Sequence, residues 1–129
     1  WMSAAEAERW ASLMADRYTR KVDASQVDLS RKAAQLARRY GLPEPASIRW
    51  VDSMRTRWGS CTPATGAIRI SSRLSGYPDW VRDYVIVHEL AHLRHPGHGR
   101  AFWRLVERYP KAERARGYLM AKSNDGEVE

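Results

Sequence analysis

A single cysteine, Cys61, occurs in the 129 residues, so no internal disulfide can form. That usage suits a reducing cytoplasm. Long apolar runs are also missing, since no stretch approaches the roughly 20 residues a membrane span needs. No secretory leader pattern opens the sequence as given. Repeats and low-complexity tracts are absent, which excludes repeat architectures. Acidic residues are scarcer than basic ones, 15 against 22, leaving a net charge of +7. The surplus favours anionic partners such as nucleic acid, phosphate-bearing substrates or anionic lipid. Yet no dense basic block occurs. Arg9, Arg38, Arg69, Arg104 and Arg116 are spread along the length, as on solvated faces.

What is present is ordinary for a globular protein, 43% hydrophobic and 29% charged. The length suits one domain with a real core. The expected division is leading helices over residues 1–45, a catalytic core over 46–122 and a polar, acidic, disordered tail over 123–129. Ser3 and Glu6 form a helix-start signature, followed at helical spacing by Trp10, Leu13 and Met14. A second helix is expected from Ser30 to Tyr40, with Ala33, Leu36, Ala37 and Tyr40 as its apolar stripe. Gly41 ends it, ahead of Pro43 and Pro45. Ile48 to Val51, Arg57 to Cys61 and Ala67 to Ile70 read as strands. Gly59 within a strand marks a bulge or a close backbone approach.

From Asp79 the pattern turns helical and apolar nearly all round: Val81, Val85, Ile86, Val87, Leu90 and Leu93. Such a helix belongs in a core, where two histidines and a glutamate need partners. His88-Glu89-Leu90-Ala91-His92 is the HExxH pattern. Residues four apart share a helix face, so both imidazoles can reach one zinc ion, about 2 Å from each nitrogen. Glu89 is offset by roughly 100° and sits beside the metal, where it can take a proton from a zinc-bound water.

His95 and His98 compete to be the third ligand. Roughly 10 Å of helical rise would separate His95 from His88, and Pro96 disfavours helix at His95. Gly97 is expected to take a positive φ and turn the chain, bringing His98 back towards the pair. The spacing from His92 to His98 matches the extended zincin arrangement, with His95 where those proteins have glycine. The spacing therefore favours His88, His92 and His98 around one zinc per chain. Cys61 reads as a packing residue and Met120 as helical core. Tyr118 and Arg57 are candidate oxyanion donors by residue type alone.

The runs RWGSCTPATGAIRISSRL (Arg57 to Leu74) and DYVIVHELAHLRHPGHGRAFW (Asp83 to Trp103) closely resemble the YgjP-like metal-dependent hydrolases, relatives of the SprT and Spartan type of zinc protease. The resemblance covers about residues 27 to 118. It implies an α+β, zincin-like fold: a small antiparallel or mixed sheet packed on the HExxH helix, with a following helix supporting the third histidine. It also implies zinc ligands at His88, His92 and His98, with Glu89 catalytic. Members of that family carry a further β-rich segment before the helices, which the given sequence does not show.

The leading functional reading is a metallopeptidase acting on peptide or protein, with an extended substrate added to the strand around Trp58. Two other readings compete. One is hydrolysis of a non-peptide bond such as a nucleotide phosphoanhydride, which suits a basic surface. The other is a DNA-associated protease module, in which Arg49-Trp50 and Arg57-Trp58 would bind single strands by charge and stacking.

Overall fold

The structure, a computed structural model, describes residues 29–123. The expected helix around Trp10 and the tail from residue 124 lie outside the described residues. Residues 29–40 are helical (α1). Leu29, Ala33, Leu36 and Ala37 fall on one stripe of it and are buried. Gly41 takes φ +65°, and the Leu42 N–H donates to the Ala37 carbonyl at 2.8 Å. That six-to-one bond closes the helix, and it needs the left-handed residue that glycine supplies at no steric cost. The Arg108 guanidinium donates to the Tyr40 and Gly41 carbonyls at 2.9 and 3.1 Å. A cation thus meets the negative end of α1.

Three strands follow, β1 (Ser47–Val51), β2 (Gly59–Thr62) and β3 (Ala67–Ser71). Their order is β1-β3-β2, with β1 parallel and β2 antiparallel to β3, so the sheet is mixed. Ile48 pairs with Ile68 and Trp50 with Ile70 on the buried face. Arg49 pairs with Arg69, and both are exposed. This is the period-two alternation of a sheet covered on one side. The β2 ladder begins at Gly59, two residues later than expected. The Arg57 carbonyl accepts instead from the Arg73 guanidinium at 2.7 Å.

A 3-10 turn, Ser72–Gly76, leads to α2 (Asp79–His92), α3 (Arg100–Val106) and α4 (Ala112–Lys122). α2 packs against β2 and β3 and also against α3 and α4, so it runs through the centre of the fold. From Tyr84 to His92 every residue of α2 is buried. Each Val, Ile or Leu so removed from water contributes about 1.5–3 kcal/mol. That apolar majority offsets the cost of enclosing His88, Glu89 and His92 beside it. Met120 departs from expectation. It lies on α4, but at 46% exposure it is no part of the core; α4 buries Ala115 and Leu119 instead. Among the described residues no helix is long and apolar enough to cross a membrane.

Candidate metal centre

His88 and His92 lie one turn apart at the C-terminal end of α2, 4% and 7% exposed. The helix stops at His92. The His95 N–H still reaches back to the Ala91 carbonyl at 3.0 Å, and Pro96 then prevents continuation. Gly97 does not take the expected positive φ; among the described residues only Gly41 and Gly66 do. The turn follows from Pro96 and from extended backbone at Gly99, the residue before α3. It nonetheless carries His98 back over the end of α2.

The ligand-type atoms of His88, His92 and His98 all lie within 4.8 Å of one another. The Nε2 atoms of His92 and His98 are 3.0 Å apart. Tetrahedral zinc with bonds near 2.05 Å separates its nitrogens by roughly 3.3 Å, close to the separation of the His92 and His98 nitrogens. Nδ1 of His92 lies 3.0 Å from the His95 carbonyl oxygen. A carbonyl can only accept, so Nδ1 holds the proton and Nε2 presents its lone pair inward. That arrangement is usual for a metal-ligating histidine. Two imidazole nitrogens converging in this way suit a shared cation, and an all-nitrogen donor set suits zinc. His95 is thus separated from the cluster in role. It contributes its backbone carbonyl, a part that the identity of its side chain cannot reveal.

Glu89 is 2% exposed, and its side chain runs close to β2. A Cβ built on Gly59 would lie 3.1 Å from both Cγ and Oε2 of Glu89, and 3.0 Å from Cγ1 of Val85. Of the bulge or close approach expected at Gly59, the structure has the close approach, and it is made to the glutamate of the motif itself. Cys61, two residues on, feels the same carboxylate. Burial first, and the Glu89 charge second, push its thiol up to about 11. It stays protonated at neutral pH and is absent from the histidine cluster.

Sequence reasoning missed the wall behind the imidazoles. Phe102, fully buried on α3, has its ring centroid 5.0, 4.3 and 5.0 Å from those of His88, His92 and His98. Trp103 lies 5.9 Å from both His88 and His98, near-parallel to His98 at 28°. The available signal was the spacing of four from His98 to Phe102.

The other candidates fall elsewhere. Tyr118 packs edge-on against Tyr77 and Trp80, the latter in the first turn of α2, far from the turn that carries the histidines. Arg57 precedes β2 and holds Arg73 through its carbonyl. Trp50 and Trp58 are only 5% and 4% exposed. Trp58 is capped by the Arg73 guanidinium at 4.1 Å and touches Tyr77. Neither indole offers a free face for a nucleobase. Clefts of about 260 and 370 Å³ flank α1 and the start of α2, and no histidine lines them. Convergence of donors, not the size of a hollow, marks this site.

A search of curated proteins finds no match. Two solved structures share the fold, both metallopeptidase zymogens. For Pyrococcus abyssi abylysin the TM-score is 0.64 at 21% identity, over 73% of this chain and 93% of that one. For Methanocaldococcus jannaschii jannalysin the values are 0.61 and 17%, over 73% and 95%. At such identities the likeness carries the α+β zincin-like fold alone. A family model described as YgjP-like, metallopeptidase domain, matches residues 3–122. Spanning both the sheet and the helices around the three histidines, that match places the chain in the YgjP-like metallopeptidase domain family.

Proposed function

We propose that the chain is a zinc-dependent peptidase in which His88, His92 and His98 hold the ion and Glu89 is the general base. The observation that carries this reading is the gathering of three imidazoles from one helix and the following turn within 4.8 Å. Zinc there would supply Lewis acidity, polarising a carbonyl and lowering the pKa of water towards about 7.

The chain's own groups supply the rest. Glu89, pressed against Gly59, takes the proton of the attacking water and returns it to the leaving amine. Its fixed wall keeps the carboxylate aimed without reorganisation. β2 pairs only with β3 in the described sheet, so its other edge is open. An extended peptide added there would run past the Glu89 side of α2.

The test is hydrolysis by the purified chain, stripped of metal and reloaded with zinc, against casein and against nucleoside triphosphates. Casein cleavage is expected only with zinc. Glu89→Gln should keep its zinc and lose about 10²–10⁴ in turnover. Cleavage of triphosphates alone would replace this reading with the phosphoanhydride one. Near-normal casein turnover by Glu89→Gln would remove Glu89 as the base.

A further inference from the structure

His98 differs from the other two histidines in how it is held. His88 and His92 are fixed by a buried helix, whereas His98 is exposed and lies in the turn between α2 and α3. No regular backbone fixes its side chain, so something else must orient the imidazole. The Trp103 indole is stacked along it, at 28° and 5.9 Å. On Trp103 in turn sits the Arg116 guanidinium of α4, 4.6 Å from the indole ring. Phe102 backs all three imidazoles from beneath.

We propose that Trp103, clamped by Arg116 of α4, is the positioning residue that holds His98 in its metal-binding orientation. This rests on the metal-site reading above. The physical grounds are specific. A flat indole alongside an imidazole limits rotation about its side-chain torsions while leaving its nitrogens free to bind, which a hydrogen-bond partner on Nε2 would not. A guanidinium on an aromatic face at an exposed site is a modest attraction. That is enough to bias the indole's orientation and too little to decide whether the fold forms. α4 thereby reaches the metal site without giving it a ligand.

The test compares Trp103→Ala, Trp103→Phe and Arg116→Ala with the wild type. Zinc affinity is read by competition with a chromophoric chelator. Site geometry is read from the visible spectrum of the cobalt-substituted protein, and metal-free stability by thermal melting. Trp103→Ala should weaken zinc binding about 10–100-fold, the range for partners that orient ligands. It should also shift the cobalt bands. Trp103→Phe should restore most of the affinity. Arg116→Ala, at an exposed site, should weaken binding about threefold with the metal-free melting temperature unchanged. Wild-type affinity and spectrum in Trp103→Ala would overturn the proposal. So would a loss that Phe fails to restore and that only follows lowered metal-free stability. A wild-type chain that binds no zinc would sink the metal-site reading itself, which keeps the two failures distinct.

Discussion

His88 and Glu89 are adjacent in sequence, yet the two faces of α2 that carry them are built from different materials. The histidine face is backed by rings from α3, Phe102 and Trp103. The glutamate face is backed by bare backbone from β2, at Gly59. Aromatic surfaces tolerate small shifts and restrain rotation, which suits ligands that must close on an ion. A glycine wall leaves no slack and fixes one carboxylate at one depth. On the proposed reading, a single helix thus separates holding a metal from moving a proton.

That separation can be broken on either side. The largest effect is expected on the ring side. His92→Ala should lower zinc affinity by more than about 100-fold, beyond what outer partners of a ligand cost. His98→Ala should cost less, because water can enter at its exposed position. Zinc titration of the two variants checks the order, and equal losses would put the buried and exposed histidines on the same footing. Gly59→Ala should act on the other side. Its Cβ would crowd Val85 and the Glu89 carboxylate, an overpacking cost of about 1–3 kcal/mol. Displacing Glu89 should then reduce turnover by about tenfold or more, with zinc affinity nearly unchanged. A Gly59→Ala enzyme that turns over normally would show that the wall is not needed.

Much of this was legible in the sequence. The period of α2, the paired histidines and the preference for His98 over His95 followed from helical geometry, and the structure brings His88, His92 and His98 together. Gly59 reads as a bulge or a close backbone approach, and its neighbour is not foreseen, because nothing local links residues thirty positions apart. The strands were found while their order was not, since period two says which side chains share a face and not which strand is central. The error at Gly97 came from treating glycine as the only way to turn, when proline followed by extended backbone suffices. Trp50 and Trp58 read as stacking platforms, although arginine alternating with tryptophan is also ordinary amphipathic sheet. Only their burial decides it, and it removes the stacking basis for a nucleic-acid role.

The smallest expected effect belongs to Cys61, which borders the glutamate face without serving either function. Cys61→Ala should retain wild-type zinc content. In the wild type, alkylation of the thiol should be slow at neutral pH and rise about tenfold per pH unit towards the value of about 11. Since burial and Glu89 raise the folded-state value above the ordinary 9.0, any stability the thiol gives is present below pH 9 and is lost between there and 11. A plateau in alkylation rate near the value of a free thiol would show that neither burial nor the carboxylate acts on it.

The spacing of these parts along the chain has a bearing on the order in which the protein assembles. All three histidines fall within residues 88–98, so gathering them closes only a short loop, whereas Gly59 lies thirty positions before Glu89. Loop closure costs rise slowly with length, about 0.6 kcal/mol per doubling, but non-local pairing sets the pace of folding. The turn that gathers the histidines is therefore expected to form early, and the seating of β2 against α2 late. On the proposed reading, a refolding chain would meet zinc before Glu89 is walled in. Hydrolytic competence would then wait for the sheet, at the stage when the molecule no longer exposes unfolded segments of its own.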